Sequence, residues 1–146
     1  MAMIECYRGV VHPWLCDAMG HLTTRHYAAM FDDGSYHLLA TVGHAPHHIQ
    51  DGFGFADVKA TFTYKSELRV GDLIVIHGRI VQVGKKSLTT HYVMKNLSNG
   101  VTAAEMEAVT VQFDLKARKA ISLVPEVRMG AAALLGEPPA GATQSA

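Results

Sequence analysis

The sequence predicts an α+β fold, one antiparallel sheet packed against one long helix. Three observations carry this. Between Thr23 and Val42 the apolar residues recur with the helical period, so that Tyr27, Met30, Phe31, Gly34, Leu38 and Val42 share a face. From Phe55 onward the period becomes two and is kept up to Leu115. The interruptions are turn formers, Gly84-Lys85-Lys86 and Asn99-Gly100, the second of them a strong hairpin signal.

Taken in order, Tyr7, Val10 and Val11 suggest a short first strand ending at His12-Pro13. The loop WLCDAMGHLTT follows, and Thr23 or Thr24 can cap the helix that Gly43 stops. Gly34 on the apolar face implies close approach of a strand. GHAPHHIQDGFG is expected as loop. Four consecutive antiparallel strands are expected next, over Phe55–Tyr64, Leu73–Val83, Ser87–Leu97 and Val101–Leu115. The Leu73–Val83 strand alternates apolar types on both faces and is expected to be buried on both. In the last strand Val109, Val111 and Phe113 share one face, and Glu105 and Glu107 are expected to be exposed.

A chain of 146 residues fits one domain, expected over residues 1–130, with a Pro/Gly/Ala-rich and disordered tail over 131–146. Lys+Arg and Asp+Glu both total 13, which argues against a nucleic-acid footprint and against a polybasic membrane anchor. No apolar run approaches the roughly 20 residues that cross a bilayer. Glu5 and Arg8 interrupt the start where a signal peptide would be apolar. Cys6 and Cys16 make no disulfide framework. The expected compartment is the cytoplasm.

The densest cluster of chemically capable residues runs from Asp17 through Gly20 and His21 to His26 and Tyr27. Asp17 stands in a loop that feeds a helix N-terminus. Unpaired N–H groups of a first helical turn can stabilise an oxyanion, and a carboxylate beside them can attack a carbonyl or activate water. The bland alternative is a turn-forming aspartate. His21 is either a general acid, a substrate-orienting group or a loop histidine bonded to backbone. Gly20 allows a tight bend, and Tyr27, on the apolar face, reads as core with a satisfied hydroxyl.

Nine histidines raise the question of metal, with His44, His47 and His48 in one loop and His12, His21 and His26 in another. No HExxH and no Cys/His set at ligand spacing occurs, so no catalytic metal is expected. Asp33, beside Asp32, is a fallback catalytic carboxylate. Lys85, Lys86 and Ser87 offer two ammonium groups and a hydroxyl suited to a phosphate, or simply form a solvated tip. Arg118 and Lys119 are placed to extend that patch.

Asp17-x-x-Gly20 followed by Tyr27, then Leu68-Arg-Val-Gly71-Asp72, Gly84-Lys85-Lys86-Ser87 and Leu123-Val-Pro125, resembles the hotdog-fold thioesterases of the 4-hydroxybenzoyl-CoA thioesterase branch. The resemblance covers about residues 5 to 130. It implies a five-stranded antiparallel sheet around a long helix, and a homodimer or homotetramer with active sites at subunit interfaces. It implies hydrolysis of an acyl-CoA thioester with no cofactor, Asp17 acting as nucleophile or general base. Gly20 and a backbone N–H near Thr24 would shape the oxyanion site, and His21 and Tyr27 would line the acyl pocket. Lys85, Lys86 and Ser87 would contact the nucleotide end of CoA. The chain departs from the branch at Thr24, where Tyr or His is common, and at His21, where a small apolar residue is common.

Two other readings stand beside this one. An enoyl-CoA hydratase of the same fold uses Asp and His in an Asp-x-Asn-Pro-x-His pattern, of which Asp17 and His21 keep the spacing of four but not the Asn-Pro. A non-catalytic acyl-CoA-binding module would keep the fold without the chemistry.

Overall fold

The computed structural model describes residues 3–135. Strand β1 (Ile4–Val10) is followed by a single 3-10 turn (Pro13–Leu15), helix α1 (Thr24–Thr41) and a short helix α2 (Pro46–Gln50). Four long strands follow, β2 (Phe53–Tyr64), β3 (Leu73–Val83), β4 (Ser87–Asn96) and β5 (Thr102–Asp114). A two-residue strand β6 (Lys119–Ala120) and helix α3 (Pro125–Leu135) complete the described chain.

All strand pairings are antiparallel, and the sheet order is β1-β3-β4-β5-β2, with β6 added on β5. This corrects the expectation of four consecutive neighbours. The β2–β3 connection crosses the sheet, so β2 becomes one long edge and β3 pairs with β1 at the other side. Helix α1 lies against β1 and β3, and the close approach expected at Gly34 is present. A methyl group there would meet Cys6 Sγ at 3.3 Å and Tyr7 Cβ at 3.6 Å. Phe31, fully buried, packs between Phe62 and Tyr92, with ring centroids 6.0 and 6.5 Å away. Truncating such a side chain to alanine costs about 3–5 kcal/mol.

The strands bury mainly one face. In β3 the core takes Ile74, Ile76 and Ile80. On the other side Val75 is buried as well, but His77, Arg79 and Val81 are only half-buried, so the expectation of burial on both faces holds at Val75 and is corrected beyond it. In β5 the core face is Ala104, Met106, Ala108, Thr110 and Gln112, and Val109, Val111 and Phe113 share the outer face with Glu105 and Glu107.

Two helices escaped the sequence reading. Helix α2 forms within the segment expected as loop because Pro46 starts it and His48, three residues after the cap, reaches back to accept the Ala45 N–H at 2.9 Å on Nδ1. Helix α3 extends to Leu135, five residues into the segment expected as tail, because Val127 and Ala131 are fully buried against β3. The rest of that tail lies outside the described residues. Among the described residues no helix is long and apolar enough to cross a membrane.

Candidate functional site

After the 3-10 turn the chain folds back on itself as an isolated bridge between Cys16 and Leu22, and Asp17, Gly20 and His21 form its tip. The Asp17 N–H donates to the His21 carbonyl at 2.9 Å, and the Gly20 N–H to the Asp17 carbonyl at 3.0 Å. Gly20 sits at φ +80, a conformation that side chains resist. The Asp17 carboxylate accepts the Met19 N–H at 2.9 Å and the His21 N–H at 3.3 Å on the same oxygen, Oδ1. The turn-forming role is therefore present, and Oδ2 makes no hydrogen bond within the described residues.

The tip is held against helix α1. The Thr23 N–H donates to Leu15 at 3.0 Å and the Leu22 N–H to Leu68 at 2.9 Å. Thr23 caps the helix in extended conformation without a side-chain bond, and no acidic residue occupies the first turn. The amides of Thr24 and Arg25 take no backbone acceptor among the described residues, which leaves first-turn N–H groups of the helix open.

Asp17, His21, Thr24 and Tyr27 line one cleft of about 380 Å³, together with Tyr64, Lys65, Ser66 and Glu67. Tyr27 is buried, and its ring meets Tyr64 edge-on at 5.2 Å. Burial, with the nearby Tyr64, holds its phenol above the ordinary range, and the Leu68 backbone partly offsets this. His21 Nε2 lies 3.0 Å from Glu67 Oε2, which also meets Arg69 Nη2 at 3.5 Å. With Nε2–H donated to the carboxylate, Nδ1 of a neutral His21 keeps its lone pair. Glu67 went unremarked in the sequence. Its signal was its place immediately before Leu68-Arg-Val-Gly71-Asp72, which the Leu22 and His21 bridges bring to the Asp17 loop.

Lys85, Lys86 and Ser87 are not in this cleft. They form the β3–β4 turn, and the Asp17 loop is tied instead to the start of β3 through Val11 and Asp72. The eleven residues of β3 separate the two places, about 36 Å at roughly 3.3 Å each. Both lysine side chains are exposed, and the turn lies at the sheet end where β2 begins, since Ser87 and Ala56 both stand opposite Val111. Arg118 and Lys119 lie at that end too, the Arg118 guanidinium 5.2 Å from the Phe113 ring centre. Asp33 does not line the Asp17 cleft.

A second cleft, of about 370 Å³, opens between the later half of α1, α2 and the start of β2. Asp32, Tyr36, Leu39, His44, Phe55 and Asp57 are among its walls. Burial, reinforced by Asp57 and Asp33, raises the Asp32 carboxyl above the ordinary range. His44 donates Nε2–H to the Phe53 carbonyl at 3.3 Å, and burial lowers its basicity. His47, His48 and Glu126 bring ligand atoms within 4.8 Å of one another. They fit a metal ion poorly. His48 already spends its Nδ1 lone pair on the Ala45 N–H and directs Nε2 at Glu126, 3.4 Å away.

Residues 11–130 match the sequence profile of the thioesterase-like superfamily. No curated protein matches the chain. Among solved structures, a Staphylococcus aureus protein crystallised in complex with CoA superposes with a TM-score of 0.86 at 16% identity, covering 99% of this chain and 92% of that one. A 1,4-dihydroxy-2-naphthoyl-CoA thioesterase from Synechocystis gives a TM-score of 0.79 at 17% identity, covering 91% and 98%. A gentisyl-coenzyme A thioesterase gives 0.74 at 24% identity, covering 84% and 98%. At these identities the likeness is one of fold, and the fold is the hotdog fold.

Proposed function

The chain belongs to the thioesterase-like superfamily, and from that premise we propose that it hydrolyses an acyl-CoA thioester to the free carboxylic acid and CoA. The observation that carries this reading is the pairing of Asp17 with the open N-terminus of α1 in one cleft. A thioester carbonyl laid over the Thr24 and Arg25 amides has its developing oxyanion stabilised by the helix end. Asp17 then acts through Oδ2, either by attacking the carbonyl carbon to form a mixed anhydride or by taking a proton from the attacking water. In either route the C–S bond breaks and the thiolate leaves, taking up a proton to become CoA. In the first route water then hydrolyses the anhydride, which frees the acid and restores the Asp17 carboxylate. Because Oδ1 is fixed by two backbone amides, the carboxylate stays oriented without help from the substrate. His21, steadied by Glu67, orients the substrate, and Tyr27 closes the inner wall.

The assembly belongs to the same reading. Strand β2, twelve residues long, is an edge with unpaired backbone groups, and Val58 (61% exposed) and Tyr64 (48%) lie bare along it. Such an edge is a template for a second copy. Two identical strands paired antiparallel bring the end of one against the start of the other. The Asp17 cleft, bounded by Tyr64 and Lys65, then meets the Lys85–Ser87 turn and the second cleft of the neighbouring subunit. A homodimer, or a homotetramer built from it, supplies the nucleotide contacts that one chain holds too far away.

Thiol release from a panel of acyl-CoAs tests the proposal. The wild type should turn over at least one class, and Asp17→Asn should lose on the order of 10²–10⁴-fold in kcat. Loss of an enoyl chromophore without thiol release would assign the site to hydration instead. Tight binding with no turnover of any thioester would assign it to a binding module.

A further inference from the structure

The turn between β3 and β4 is fastened more heavily than a solvated hairpin tip requires. All three of its leading carbonyls are taken. Arg128 of α3 donates Nη2–H to the Lys85 carbonyl at 2.6 Å and Nη1–H to the Gly84 carbonyl at 3.3 Å. The Leu123 N–H also donates to Lys85, at 3.0 Å, and the Gln112 N–H donates to Lys86, at 2.9 Å. The Gly84 N–H closes the turn on the Ser87 carbonyl at 2.8 Å. A methyl group on Gly84 would stand 2.7 Å from Ser87 Oγ, so the glycine is what lets the hydroxyl fold over the turn.

The lysine side chains are treated in the opposite way. Both are exposed, and neither has a salt-bridge partner among the described residues, whereas Lys65, Arg8 and Arg69 each meet a carboxylate. A backbone held from three sides thus presents two ammonium groups that nothing among the described residues neutralises. Arg128 is set rigidly for its part. It follows Val127, fully buried, on a helix whose first turn is tied by the Arg128 N–H to Val124 at 3.0 Å. Its planar fork spans two successive carbonyls, which a single ammonium cannot do.

We infer that Arg128 is a positioning residue for an anion site formed by Lys85, Lys86 and Ser87, holding the turn in the shape that receives the phosphate groups of the CoA nucleotide. The inference rests on the acyl-CoA reading for the identity of its ligand. Arg128 acts through the backbone of the turn and not by its own charge. Fixing the turn before binding removes an ordering cost that the phosphates would otherwise meet. Its effect belongs to recognition of the nucleotide end, remote from the reacting carbonyl.

The experiment compares an acyl-CoA with the matching acyl-pantetheine, which carries the same thioester without the nucleotide. Arg128→Ala should raise KM for the acyl-CoA about tenfold, the loss of between one and two hydrogen bonds, and leave kcat alone. KM for the acyl-pantetheine should not move. Arg128→Lys should be as defective as Arg128→Ala, since it keeps the charge and loses the fork. Binding of adenosine 3′,5′-bisphosphate to the full chain, measured by calorimetry, should weaken by the same factor in both variants. An equal effect on both thioesters, or full rescue by Lys, overturns the inference, as does a wild type that fails to bind the bisphosphate. If no thioester is hydrolysed but bisphosphate binding still depends on the Arg128 fork, the proposed activity falls and the anion site stands.

Discussion

On the proposed reading Asp17 carries two roles, and one pair of substitutions separates them. Its Oδ1 accepts the Met19 and His21 amides at 2.9 and 3.3 Å, which fixes the tip of the loop, while Oδ2 is the atom assigned to chemistry. Asparagine keeps an oxygen where Oδ1 stands and replaces Oδ2 with an amide that is neither a nucleophile nor a base. Alanine removes both oxygens. Losing two acceptor contacts in a half-buried loop costs about 1–3 kcal/mol, so Asp17→Ala should lower the urea midpoint clearly. Asp17→Asn should stay within about 1 kcal/mol of wild type, the part that charge adds to such bonds. Thiol release should fall on the order of 10²-fold or more in both variants. Urea melts and rate assays on the same preparations supply the comparison. An Asp17→Asn variant with wild-type turnover refutes the chemical role. One as unstable as Asp17→Ala refutes the structural account of Oδ1.

Three further outcomes follow from the packing. Gln112 is fully buried, donating to the Gly54 carbonyl at 2.7 Å and accepting the Val124 N–H at 3.3 Å. Gln112→Leu should therefore cost about 1–3 kcal/mol for each orphaned group, read from chemical melts. Burial pushes the Cys6 thiol up to about 11, so at pH 8 iodoacetamide should leave Cys6 unmodified in the folded protein, with mass spectrometry of the peptides deciding it. Burial lowers the His44 and His91 imidazoles below the ordinary 6.5. The unfolded chain then holds the more protons, so stability should fall as pH drops through 6.5 toward the folded values, and less steeply in His44→Gln. A urea midpoint that does not change between pH 7.5 and 5.5 would contradict this.

The long periodic elements were legible because burial imposes a period on the sequence. Helix α1 and the four long strands begin and end within about two residues of the sequence reading, and the Gly34 approach followed from a gap in an otherwise bulky face. What was not legible depends on partners distant in sequence. Helix α3 owes its place to Val127 and Ala131 meeting β3, and no local pattern announces that surface. The crossing of β2 to the far edge is likewise invisible to periodicity, since each strand looks the same whichever neighbour it takes. At the candidate site, Asp17, His21, Thr24 and Tyr27 line one cleft because a short loop and one helical turn hold them, a proximity already legible in their spacing. Glu67 was missed because it reaches His21 only through the tertiary bridge at Arg69.

The separation of the two sheet ends has a consequence for how this fold can handle a long substrate. A helix N-terminus and a carboxylate can be brought together by a short loop, but a basic turn on the same strands falls a whole strand length away. No local rearrangement closes a gap of about 36 Å, because β3 is paired on both sides along its length. A two-fold axis across β2 closes it without moving either group, since it reverses the direction of the second sheet. On the proposed reading, the dimer is then a condition of substrate recognition and not an accessory to stability. A proline placed at Ala60, midway along the bare edge, removes one backbone donor there without touching either cleft. It should yield a monomer by sedimentation that loses turnover of acyl-CoA far more than that of acyl-pantetheine. Equal activity of monomer and assembly on the full substrate would mean that one chain gathers the nucleotide and the thioester by itself, which the strand length forbids.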